Sequence, residues 1–172
     1  MSPDVRCPDI RPDIRPDIIW QWSRFADLSP HSLYAALRAR SEVFVVEQRC
    51  AFLDLDDADQ EAWHLLGWTG REGVRALAAY LRLIPPGCKY IEPSIGRVLT
   101  TAAFRHTGAG RGLMEEGLRK SAEVHAAQGI RIGAQRYLEN FYAGFGFTPS
   151  SAPYIEDGIP HIEMLRPPDA IQ

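Results

Sequence analysis

The residues best suited to chemistry in this chain lie in one short run, Arg105-His106-Thr107-Gly108-Ala109-Gly110-Arg111-Gly112-Leu113. Glycines at 108, 110 and 112 let a backbone take positive φ and come close to a bound group. Consecutive N–H groups in such a turn converge on an anion, and a helix that begins there adds the positive end of its dipole. Arg105 and Arg111 supply charge on either side. The run therefore has the makings of a diphosphate cradle. A P-loop is excluded, because it needs Lys-Ser or Lys-Thr after its last glycine and Gly112 is followed by Leu113. A dinucleotide fingerprint would place its third glycine where Leu113 stands, and it usually opens the first βα unit of a sheet; this turn lies past the middle of the chain. The pyrophosphate arm of coenzyme A suits the same spacing. So does a glycine-rich joint between a strand and a helix that binds nothing.

The flanking residues say what must hold this turn. Ile95–Thr101 reads as a strand leading into it, and an amphipathic helix runs from it to about Gln128, with apolar Leu113, Met114, Leu118 and Ala122 and a stop at Gly129. Upstream, Ile18–Trp22 reads as a first strand. Ser29-Pro30 is a helix start, a hydroxyl cap followed by proline, and that helix extends to about Glu47. Ala62–Trp68 and Val74–Ile84 flank a turn with two glycines and read as a hairpin. Downstream come a strand at Ile130–Gln135, a short helix at Leu138–Phe145, and late strands at Phe147 and Ile162–Leu165. The order is mixed α/β, with antiparallel pairing early and a βαβ unit later.

Composition narrows the partners. The chain has 172 residues, 45% of them hydrophobic and 24% charged, with a formal net charge of −3, which is the profile of a soluble globular chain. A dedicated phosphate-backbone binder would be basic, so nucleic acid is not an expected partner. No apolar run approaches the roughly 18–20 residues of a membrane span. Cys7, Cys50 and Cys88 show neither metal-ligand spacing nor an even disulfide framework, so free thiols in the reducing cytoplasm are expected, with no metal. The acidic stretch Asp54, Asp56, Asp57, Asp59 and Glu61 lacks the glycine of a calcium loop, and the twelfth position from Asp54 is Leu65 rather than glutamate. It reads as a solvated loop or as an electrostatic lure for a cationic amine. Residues 1–19, built around PDIR-PDIR-PDI, are rich in proline and poor in contiguous apolar residues, and are expected to form a disordered tail ahead of one domain at 20–168.

Arg105-x-x-Gly108-x-Gly110 resembles the coenzyme A-binding motif of the GNAT superfamily, the Gcn5-related N-acetyltransferases. Asn140-Phe141-Tyr142-x-x-x-Gly146-Phe147 is similar to that family's short helix before its final hairpin. Arg40-x-x-Val43-Phe44-Val45-x-Glu47-Gln48, His64-Leu65-Leu66-Gly67-Trp68, Gly133-Ala134-Gln135 and Asp157-Gly158-Ile159-Pro160-His161-Ile162 resemble its ElaA-type branch. The resemblance spans roughly residues 20–166 in the family's order. It implies an acyl-CoA N-acyltransferase fold: a central, mostly antiparallel sheet, flanked by helices, that splays open between its fourth and fifth strands. Pantetheine enters the splay, with backbone groups near Val98 and Thr100 beside the thioester. The diphosphate would rest on Ala109, Gly110, Arg111 and Gly112, with Gly108 opening the turn and Arg105 framing it.

The resemblance further implies direct attack of an amine on acetyl-CoA. The acceptor would be an amine of a small molecule, a peptide or a protein lysine. Such chemistry needs a base for the ammonium proton, a donor for the oxyanion and an acid for the departing thiolate. Tyr142 matches the family's acid, and Asn140 would bond the pantetheine amide or cap the helix. Glu47, His64 and His161 are candidates for the base. A longer-chain acyltransferase and a CoA-binding sensor without turnover are the competing readings, and a homodimer is compatible with either.

Overall fold

The computed structural model describes residues 17–70 and 75–168. The expected tail lies outside the described residues as far as residue 16, and Ile19 already belongs to the first strand. Eight strands form one sheet: β1 (Ile19–Arg24), β2 (Trp63–Thr69), β3 (Ala76–Ile84), β4 (Ser94–Thr100), β5 (Ile130–Gln135), β6 (Thr148–Pro149), β7 (Tyr154–Glu156) and β8 (Ile159–Arg166). Their order is β1-β2-β3-β4-β5-β8-β6, with β7 also paired to β8. Every pairing is antiparallel except β4 with β5.

Alternation along the strands sends side chains to two faces. Leu65, Leu81, Leu83, Ile95, Ile132 and Met164 pack beneath α2 (Ala109–Val124) and α3 (Glu139–Ala143), with Leu113, Met114 and Tyr142 as the helical partners. Leu66, Trp68, Tyr80 and Leu99 face the opposite side and pack on Ala36 and Ala39 of α1 (Pro30–Arg40). Gly117 lets α2 approach closely: a β-carbon there would stand 2.6 Å from Leu81 Cδ2.

One expected helix end differs, and the other helix changes type before its expected end. The first helix starts as expected, with Ser29 Oγ accepting from Ser32 N–H and Pro30 in the first turn. After Arg40 it widens into a π-helical turn, Ser41–Glu47. The second helix stops at Val124 rather than near Gln128. Ala127 takes a positive φ of 59°, so the chain leaves the helix before Gly129. The strand Tyr154–Glu156 has no signature in the sequence, because three residues carry too little periodicity.

The parallel junction matters most. β4 and β5 share a single register pair, Ser94 with Arg131, next to a hydrogen bond from Arg131 N–H to the Pro93 carbonyl. Beyond it the two strands part, and the sheet is open between the fourth and fifth strands toward the glycine turn.

Candidate active site

β4 enters the opening with a bulge. Tyr80 pairs with Leu99 and Arg82 with Gly96, so Arg97 and Val98 together stand opposite Leu81. Two residues against one leave backbone groups outside the ladder. Arg97 has φ of 53°, a left-handed conformation that costs a residue with a β-carbon about 1–2 kcal/mol.

The strand then runs through Thr100 and one 3-10 turn to Gly108, whose φ is 87°. Gly108 is the N-cap of α2 and, being glycine, offers no side-chain cap. The first helical bond runs from Gly112 N–H to the Gly108 carbonyl. The N–H groups of Ala109, Gly110 and Arg111 therefore lack helical acceptors, and no acidic residue occupies that turn. A β-carbon at Gly110 would meet Thr100 Cγ2 at 3.5 Å, and one at Gly112 would meet Trp20 at 3.5 Å. The turn has the chemistry of an anion site: free N–H donors coincide with the positive end of a helix dipole.

The expected site residues fall into three groups. Val98, Thr100 and the 108–112 turn line the end of β4 and the start of α2. Arg105 and Glu47 meet there as an ion pair of 2.5 Å, both partly exposed, while Arg105 Nε also donates to the Thr100 carbonyl at 3.4 Å. Arg111 lies over the Phe145 ring, 5.3 Å from its centroid. Tyr142 is buried on α3, edge-on to Phe141 and Phe147. Among the described residues its hydroxyl makes no hydrogen bond, and burial, followed by the neighbouring Tyr137, raises its pKa above that of an ordinary phenol. Asn140 is exposed on the same helix.

His64 is placed elsewhere. It is 1% exposed, with Nε2 3.0 Å from the Asp59 carbonyl and Nδ1 2.8 Å from the Tyr80 hydroxyl. A carbonyl only accepts, so Nε2 carries the proton and Nδ1 accepts from Tyr80. Burial holds the ring below the ordinary histidine pKa. His64 is a buried neutral ring with both nitrogens engaged. His161 differs. Nδ1 donates to the Ile159 carbonyl at 2.8 Å, which leaves Nε2 with a lone pair. Its register partner on β5 is Gln135, whose amide donates to Gln48, next to Glu47.

The acidic stretch is solvated only in part: Asp57 and Glu61 are exposed, and Asp56 is exposed but ion-paired. Asp54 and Asp59 are buried, as are Arg40 and Arg82. Arg40 donates to Asp54 at 2.9 Å and to Asp59 at 2.7 Å. Arg82 bridges Asp59 at 2.8 Å and also pairs with Asp56. Arg97 bonds Asp54 at 2.6 Å. Burial opposes ionisation of Asp56 and Asp59, but Arg82 at Asp56, and Arg40 with Arg82 at Asp59, outweigh it and hold both carboxyls below the usual aspartate range. The sequence did carry a signal for this: Arg82 sits between Leu81 and Leu83 in a central strand, and a buried guanidinium demands counter-charges. Among the described residues, no group of three or more His, Cys, Asp or Glu is disposed to hold a metal ion, and no helix is long and apolar enough to cross a membrane.

This geometry has relatives. Residues 84–166 match the family described as "Acetyltransferase (GNAT) domain". A UPF0039 protein of Synechocystis is 45% identical over 148 residues, covering 86% of this chain and 94% of the relative. The ElaA protein of Escherichia coli is 40% identical over 151 residues, covering 87% of this chain and 96% of its own. This chain belongs to the GNAT family. Within the family it groups with ElaA: the crystal structure of Escherichia coli ElaA superimposes with a TM-score of 0.79 at 38% identity, over 87% of this chain and 99% of that one. An acyl-CoA N-acyltransferase from Pseudomonas aeruginosa gives the same TM-score, identity and coverage. As a GNAT member the chain is an acyl-CoA-dependent N-acyltransferase, with acyl-CoA as co-substrate and an amine as acceptor.

Proposed function

We propose that this GNAT enzyme transfers acetyl from acetyl-CoA to an amine by direct attack. The observation that carries the reading is the uncapped, glycine-initiated N-terminus of α2 at the open end of the β4–β5 split. The diphosphate binds the N–H groups of Ala109, Gly110 and Arg111, and Arg105 supplies charge beside them. Pantetheine follows β4 into the split, where the backbone at Val98 and Thr100 pairs with it.

The acceptor, an amine of a small molecule, a peptide or a protein lysine, enters from the α1 side. It loses its ammonium proton to Glu47, directly or through water. The nitrogen bonds to the thioester carbon, and an unpaired N–H of the β4 bulge donates to the oxyanion. The C–S bond breaks and the thiolate takes the Tyr142 proton, while the second proton of the attacking nitrogen leaves through water as the amide forms and restores the Tyr142 hydroxyl. Burial suits Tyr142 to this step because it keeps the hydroxyl protonated. His64 supports the fold rather than the proton transfer, since both ring nitrogens are committed. Asn140 bonds the pantetheine amide. The thiols of Cys50 and Cys88 are free, which fits the reducing cytoplasm.

The test is the thermal midpoint with acetyl-CoA at about 100 times Kd, which adds about 2.7 kcal/mol and raises the midpoint by roughly 5–10 °C for a domain of this size. NADH and ATP serve as controls, and longer acyl-CoAs as competitors. A shift with acetyl-CoA followed by acetylation of members of an amine panel supports the reading. A shift without turnover of any amine points to a sensor, and a larger shift with longer chains points to a different acyl group.

A further inference from the structure

The β4 bulge is held from outside the strand. Arg97 is its left-handed residue, and the Arg97 side chain crosses to the face covered by the π-helical turn and the 48–62 segment. Nε donates to Asp54 Oδ1 at 2.6 Å and Nη2 to the Asp54 backbone carbonyl at 3.1 Å. The guanidinium also lies 5.3 Å from the Phe52 ring centroid and 5.9 Å from that of Phe44. Asp54 is itself immobilised, because Arg40 occupies its other carboxylate oxygen at 2.9 Å and its backbone carbonyl at 2.8 Å. Arg40 is 0% exposed and ends α1 where the helix widens. A chain of contacts thus runs from α1 through Asp54 to the one residue of β4 whose backbone is in a disfavoured conformation.

We infer that Asp54 and Arg97 are positioning residues for acyl transfer: the pair holds Arg97 left-handed, and so holds the bulge that turns backbone N–H groups out of the ladder at the β4–β5 split. The inference rests on the proposed use of that bulge by the thioester. Pairing both the side chain and the main chain of Asp54 to one guanidinium fixes orientation as well as distance. A surface charge pair would not do this, and Arg97 carries the pair at the strand position where a relaxed ladder would remove the donor. The donor's value depends on its position, since a displacement of about 1 Å at a reacting group costs roughly 10²-fold in rate.

The experiment compares the full-length protein with Arg97→Ala, Arg97→Gly, Arg97→Lys and Asp54→Asn. It measures kcat and KM for acetyl-CoA, the thermal midpoint, and the infrared carbonyl stretch of bound acetyl-CoA carrying a 13C thioester carbonyl. Arg97→Ala and Asp54→Asn are expected to lower kcat at least tenfold, roughly the low end of a misplaced donor, with KM for acetyl-CoA nearly unchanged and the carbonyl stretch moved back toward its value in water. Arg97→Gly, which accepts a left-handed backbone without a β-carbon, is expected to retain more kcat than Arg97→Ala, and Arg97→Lys is expected to rescue part of the loss. A merely structural network would lower the midpoint and leave kcat and the stretch of the folded protein alone; that result, or equal losses in the alanine and glycine variants, overturns the inference. If Asp54→Asn does not fold, the Arg97 series decides, because it leaves the Arg40–Asp54 pair in place. Failure of the wild-type protein to bind acetyl-CoA overturns the underlying functional reading instead, and is visible before any variant is made.

Discussion

Glu47, at the end of the π-helical turn, and Arg105, at the entrance to the glycine turn, form a 2.5 Å ion pair. The pair joins the candidate base to a cation that the diphosphate would also engage. Both side chains are more than a third exposed, so the pair is worth at most about 1 kcal/mol. On the proposed reading, acyl-CoA takes Arg105 away from Glu47 and leaves the carboxylate free to accept a proton.

Glu47→Gln should separate the two roles. Acetyl-CoA binding is expected to tighten by up to about fivefold, the equivalent of about 1 kcal/mol, while kcat falls by roughly 10²-fold. Isothermal titration and steady-state rates check both. Unchanged kcat in this variant, with loss of activity in His161→Gln, would move the base to His161 Nε2.

Tyr142→Phe is expected to lower kcat by roughly 10²-fold with little change in folding, because the hydroxyl makes no hydrogen bond among the described residues and the ring packing is retained. Burial raises the phenol pKa, so wild-type kcat should show no alkaline decline from this group below about pH 10. Rapid-quench measurement of the chemical step is the direct check.

Arg40→Met tests the buried network. Removing one member of a buried ionic cluster strands the others and costs about 3–5 kcal/mol; here Asp54 and Asp59 lose their fully buried partner. Urea denaturation should show that loss with little dependence on salt, since buried pairs are weakly screened. A loss below about 1 kcal/mol, the range of exposed pairs, would show that the aspartates find other partners.

Stability should fall on mild acidification. The pKa of His64 is depressed by burial, and that of His125 by burial and by Arg24, so below about pH 6.5 the unfolded chain binds protons that the folded chain does not. The contribution is complete above that pH and is lost as pH falls through the folded-state values. The thermal midpoint of the wild-type protein should decline between about pH 7 and pH 5, a window set by the histidine reference value. In His64→Gln the decline should be shallower, with His125 supplying what is left. Parallel curves would show that His64 titrates normally.

Much of the fold and of the glycine turn could be read locally. Glycine spacing at 108, 110 and 112 marks a helix start that has no side chain to cap it, and strand and helix periods mark most elements to within a few residues, because both signals are written in neighbouring residues. The family resemblance singled out Tyr142 and, with residue type, Glu47. What the linear order left open is pairing across distance. Arg40, Asp54, Asp59, Arg82 and Arg97 come from a helix, a loop and two strands; only Arg82, between Leu81 and Leu83, has a local signature of burial, and nothing local says which carboxylates it meets. By charge alone Asp54 and Asp59 could draw in an amine, but buried arginines engage them; by type alone His64 could be a base, but Tyr80 and the Asp59 carbonyl engage both ring nitrogens. Charge is a property of the residue, whereas burial and partnership arise only when distant segments pack, and those two decide whether a charged group attracts substrate, moves a proton or holds the backbone in place.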